Sequence, residues 1–148
     1  IRHPEVVRKA VVCSVFFKRE GIHSEVWDFI RSSSVESMPK ELKEAFLAIN
    51  PDPDALKVMH DRDRQRMVDF KDWNAEDIGR IQAETLLVAG DQDVVTHEHL
   101  LEMYRLIPKC RLLVLPGRHG EYLGEITIHK EGSMVPEVFT TVVNQFLR

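Results

Sequence analysis

The stretch Thr85–Asp93, TLLVAGDQD, constrains this chain more than any other. Its first five residues are apolar or β-branched, Gly90 interrupts them, and two aspartates follow at once. A short unbroken apolar run between turn signals is the pattern of a strand covered on both faces. The turn after such a strand lies at its carboxyl end, where open α/β sheets gather their reactive groups. A second run, Arg111–Leu115, leads into Pro116-Gly117-Arg118-His119-Gly120. Between the two, Thr96 can cap a helix whose inner face carries Leu100, Leu101, Met103, Tyr104 and Ile107, and Pro108 stops it. A right-handed strand–helix–strand crossover sets the two strand ends side by side. The acidic turn then faces the histidine turn. A carboxylate beside an imidazole fixes its tautomer and stabilises its charged form.

A third strand is predicted earlier, over Ala10–Phe17, with Cys13 and Ser14 in its middle. A catalytic serine needs a sharp, exposed turn with small residues around it. No glycine flanks Ser14, so both residues are read as strand packing. From Ile22 to Ile81 only helical pieces follow. Ser24 can cap a helix carrying Val26, Trp27, Phe29 and Ile30; Pro39 fits the start of a second; Asp52 and Pro53 open a third; Asn74 caps a short fourth. About sixty residues of helix exceed what a crossover needs. The segment 22–81 is therefore expected to be a helical cap or lid over a pocket, with Trp27, Phe29 and Trp73 as candidate lining residues. Val135–Leu147 reads as a closing helix with Val138, Val142, Phe146 and Leu147 inside.

Charge and cysteine usage narrow the function classes. A net charge of -4, from 20 basic and 24 acidic residues, with no basic stripe, argues against nucleic-acid binding. No apolar run is long enough to cross a bilayer. Cys13 and Cys110 both sit in apolar runs, which suits free buried thiols and a cytoplasmic setting rather than a disulfide framework. His97 and His99 flank Glu98, but positions i and i+2 on a helix diverge by about 200° and cannot share one ion. No metal or cofactor is expected. The chain starts at Ile1 rather than Met, which suggests a fragment, a processed chain or a leader not included in the sequence.

The segment Ile81–Leu123, with its G-D-x-D turn and P-G-x-H-G loop, resembles the C-terminal part of α/β-hydrolases: strand, helix, strand and histidine loop. His3–Phe17 resembles the strand that follows the nucleophile helix in that family, and residues 22–81 fall where its members insert a cap. The resemblance implies an α/β fold with three strands of a parallel sheet. It makes residues 1–148 one incomplete unit with the cap at 22–81. It also implies that Asp93 is the triad acid, with Asp91 second in rank, and that His119 is the base. The family's chain order is nucleophile, acid, base. No G-x-S-x-G and no glycine-rich oxyanion loop occurs in the 148 residues, and the link 121–133 is longer than usual. The implied function is the acid-and-base part of a serine-type hydrolase for a small carboxylic ester or related substrate, inactive by itself. The alternative is a non-catalytic α/β-hydrolase-like binding module. The first strand should be interior to a larger sheet, so a second chain or a copy is expected to cover its edge.

Overall fold

The computed structural model describes residues 3–128 and 130–148. Arg2, in the lead-in to the first strand, and His129, in the link before the last helix, lie outside them. In chain order the elements are β1 (Lys9–Cys13), α1 (Ser24–Ser32), α2 (Lys40–Ile49), α3 (Pro53–Val68), α4 (Ala75–Gly79), β2 (Glu84–Gln92), α5 (His97–Leu106), β3 (Cys110–Arg118) and α6 (Val135–Leu147). They form two compact units, one of residues 1–23 and 72–148 and one of residues 24–71.

The larger unit is built on one parallel sheet in the order β1-β2-β3. Its central strand explains the unbroken apolar run. Leu87 points into a cluster with Phe17, Ile78, Met103 and Ile107, on the α5 side. Leu86 and Val88 point the other way, to Leu115, Tyr122 and Phe146, on the α6 side. Alternate residues of a strand face opposite ways, so a strand with a helix on each face has no polar positions to spare. The cap of α5 is Thr96, whose hydroxyl accepts the His99 N–H at 3.3 Å.

β1 is shorter than the predicted Ala10–Phe17. It ends at Cys13, because Ser14 turns into the left-handed region at φ 47°. All five residues of β1 are only half-buried, and the strand pairs with β2 alone among the described residues. An apolar cavity of about 220 Å³ lies beside it, lined by Val12, Val15, Phe17, Trp73, Ile81 and Met103 among others.

The smaller unit is helical. Trp27 is buried and stacks on Phe70 with ring centroids 6.4 Å apart. Asp52 caps α3 by accepting from the Asp54 and Ala55 amides. This unit ends before α4. Ile78 belongs to the cluster around Leu87, with Ile81 packed against it, so the last ten residues of the expected 22–81 insertion pack with the sheet.

Candidate active site

The two strand ends that the sequence sets side by side are adjacent, and a glycine allows their approach. A Cβ on Gly90 would lie 2.2 Å from the Gly117 carbonyl oxygen. Gly117 itself sits at φ +132°, a conformation side chains rarely adopt, and its N–H donates to Asp91 Oδ1 at 2.8 Å. Asp91 thus ties the two tips together through backbone. The other aspartate of the turn meets the histidine. His119 Nδ1 lies 2.8 Å from Asp93 Oδ1. The histidine loop is braced from below by the buried Glu121, which accepts the Arg118 N–H at 3.0 Å and pairs with Lys130 at 3.2 Å.

The Asp93 side chain has no exposed surface, whereas the His119 side chain is 54% exposed. Burial alone would raise the Asp93 carboxyl. Hydrogen bonds from His119, Ser14 and the Gly90 amide outweigh it and bring the pKa from 3.8 to about 2. The carboxylate is therefore ionised near neutrality, and every partner donates to it. Its hydrogen bond holds the His119 pKa above the ordinary 6.5, against the opposing effect of burial. In the neutral ring Nδ1 carries the proton given to Asp93, which leaves the lone pair on Nε2. This is the arrangement of a base whose acceptor nitrogen is chosen by its neighbour.

Ser14 stands against Asp93, and Tyr122 stands behind Ser14. Ser14 Oγ is 2.5 Å from Asp93 Oδ2 and 2.7 Å from the Tyr122 hydroxyl. Ser14 is thus not the mid-strand packing residue predicted from its apolar neighbours. It sits one residue past β1, with its N–H on the Val88 carbonyl at 2.8 Å and its hydroxyl on the acid. Nothing local to either residue signals this, because the partners are 79 and 108 positions away.

The three aromatic residues read as pocket lining are differently placed. Trp27 is an interior residue of the helical unit. Phe29, on α1, is 60% exposed. Trp73, in the sheet unit, is 55% exposed and borders the cavity beside β1. Among the described residues no cluster of three His, Cys, Asp or Glu side chains could hold a metal ion, and no helix is long and apolar enough to cross a membrane. His99 is buried with its Nε2 accepting the Phe17 N–H at 3.1 Å.

No protein-family profile matches the sequence, and no curated protein matches it significantly. Solved structures do. A meta-cleavage product hydrolase from Pseudomonas fluorescens superposes with a TM-score of 0.65 at 22% identity, covering 99% of this chain and 57% of that one. A serine hydrolase involved in carbazole degradation gives 0.63 at 19%, with 99% and 56% covered. The enol-lactonase from Burkholderia xenovorans gives 0.60 at 18%, with 99% and 58% covered. The chain spans less than two thirds of each of these proteins. It has the fold of the C-terminal part of an α/β-hydrolase, as its two turns led us to expect.

Proposed function

We propose that Asp93 and His119 are the acid and base of a serine-type hydrolase acting on a small carboxylic ester or related substrate. The observation that supports it best is the 2.8 Å contact of a buried, ionised carboxylate with a half-exposed imidazole at adjacent strand ends. In this reading His119 Nε2 takes the proton of a hydroxyl as its oxygen attacks the ester carbonyl carbon. The ring then returns that proton to the leaving oxygen. Asp93 steadies the imidazolium between the two transfers. That the solved relatives include a serine hydrolase and an enol-lactonase supports the ester and serine chemistry.

The 148 residues contain no G-x-S-x-G elbow. The nucleophile and the oxyanion donors are therefore assigned to a segment supplied from elsewhere, and the half-buried β1 with its neighbouring cavity is the face that segment would cover. A second chain or a second copy would bury the same face. The helical unit is assigned the role of cap, with the exposed ring of Phe29 offered to substrate and Trp27 supporting the helices from inside.

The test uses p-nitrophenyl acetate. The 148-residue chain alone should give no burst of nitrophenol. A longer chain that includes the preceding coding sequence, with a small-x-Ser-x-small elbow roughly 25–30 residues before Ile1, should give one. Asp93→Asn should then slow it by roughly 10³–10⁴-fold. A longer chain with that elbow and no turnover would favour the binding-module reading instead.

A further inference from the structure

The acid is held by more than the histidine. An ionised carboxylate has about four acceptor positions, and all four of Asp93 are taken. Oδ1 accepts from the Val94 N–H at 2.7 Å and from His119 Nδ1 at 2.8 Å. Oδ2 accepts from the Gly90 N–H at 3.0 Å and from Ser14 Oγ at 2.5 Å. Val94 and Gly90 lie on the same stretch of chain as Asp93, within three residues of it. Ser14 is the donor that arrives from another strand.

Its conformation is unusual. At φ 47° it is the one non-glycine with positive φ among the described residues. Such backbone persists where the surroundings over-determine it, and it gathers at functional sites. Here the surroundings are explicit: the Ser14 N–H is fixed on Val88, and its hydroxyl lies between Asp93 and Tyr122.

The proton positions follow from chemistry. Asp93 cannot donate, so the Ser14 hydroxyl proton points to Oδ2. The Tyr122 hydroxyl, 2.7 Å away, then donates to Ser14 Oγ. Tyr122 is 1% exposed, and burial raises its phenol pKa, so it remains a donor across the ordinary pH range. The hydrogen bonds run one way, from Tyr122 to Ser14 to Asp93. This also removes Ser14 from consideration as a nucleophile, because its proton is directed to the acid and not to His119.

We propose that Ser14, oriented by Tyr122, is a positioning residue for the acid–base pair: it pins Asp93 Oδ2 so that Oδ1 stays aimed at His119 Nδ1. The proposal rests on the assignment of Asp93 and His119 as a proton-handling pair. It adds a residue from the end of β1 and another from the turn after the histidine loop to that assignment.

The experiment is a ¹⁵N-histidine NMR titration of His119 in the 148-residue chain and in three variants. Asp93→Asn tests the underlying pair, and should lower the His119 pKa, since the raising hydrogen bond and charge are lost while burial remains. Ser14→Gly removes the hydroxyl and suits the left-handed backbone. If Ser14 positions the acid, the His119 pKa falls by about 0.5 unit or more toward the Asp93→Asn value. Tyr122→Phe, which keeps the serine donor but frees its orientation, should produce a smaller fall in the same direction. A hydroxyl that only withdrew charge from the carboxylate would do the reverse, because its loss would strengthen the pull of Asp93 on the imidazolium. A rise or no change in Ser14→Gly therefore overturns the proposal while leaving the pair intact. Should Ser14→Gly fail to fold, the direction of the Tyr122→Phe shift decides by the same rule. An Asp93→Asn chain with unchanged His119 titration would sink the underlying assignment itself.

Discussion

Gly90 and Gly117 meet backbone to backbone: a methyl group on the first would sit 2.2 Å from the carbonyl oxygen of the second. No rotamer change can relieve such a clash, since the backbone fixes the methyl carbon's position and its neighbour is a backbone oxygen. Overpacking of this kind costs about 1–3 kcal/mol. Gly90→Ala should destabilise the chain by that order, read from the urea midpoint. It should also part the two strand tips, so the His119 pKa should drift toward 6.5. An unchanged midpoint and an unchanged titration would show that the close approach of Gly90 to Gly117 does not hold the two strand tips together.

The acid–base pair leaves two marks on stability against pH. The pKa of His119 is raised on folding, so its contribution is complete below about 6.5 and is lost as pH rises through the folded value. The pKa of Asp93 is lowered from 3.8 to about 2, so its contribution is present above 3.8 and is lost as pH falls toward 2. Asp93→Asn should cost on the order of 2 kcal/mol at pH 5 and flatten both limbs. Urea midpoints measured from pH 2 to pH 9 check this.

His99 should act in the opposite sense to His119. Its Nε2 accepts a backbone N–H, so the proton sits on Nδ1, which faces Glu102 at 3.4 Å. Burial lowers its pKa, more than Glu102 raises it. Protonation would put a hydrogen on Nε2 against the Phe17 N–H. Stability from this residue is therefore full above about 6.5 and declines as pH falls below it. In His99→Gln the amide oxygen can still accept from Phe17 but cannot titrate. Its urea midpoint should lack the decline below about pH 6.5 expected of the parent.

Leu87 has no exposed surface and lies between Phe17, Ile78, Met103 and Ile107. Leu87→Ala should cost about 2–5 kcal/mol, the usual range for a buried leucine whose cavity collapses only in part. The same change at Leu101, which is 41% exposed on α5, should cost far less. Paired urea curves compare the two.

The legible parts of the sequence are those whose causes are local. Thr85–Ala89 reads as a buried strand because both neighbours of each residue on either face are apolar, and Asp52 and Thr96 read as caps because their partners lie two or three residues on. The acid turn and the histidine loop are legible for the same reason, as glycine and charge cluster at strand ends. The early end of β1 is not legible. Ala10–Phe17 is apolar except for Ser14, and what marks the strand's end is the bonding of that hydroxyl to Asp93, just past β2, and to Tyr122 in the turn beyond β3. The state of His99 is hidden likewise, since it depends on a backbone amide 82 residues away. The stacking of Trp27 on Phe70 is hidden too, since it joins residues far apart in the sequence.

The crowding around Asp93 limits how far a proton can travel. With Val94, Gly90, Ser14 and His119 all pointing hydrogens at its two oxygens, the carboxylate has no empty lone pair to receive one more. A hydrogen picked up by the imidazole ring has nowhere further to go, and the ring is the terminus of the wire. Whatever leaves this pair must depart by the nitrogen through which it arrived.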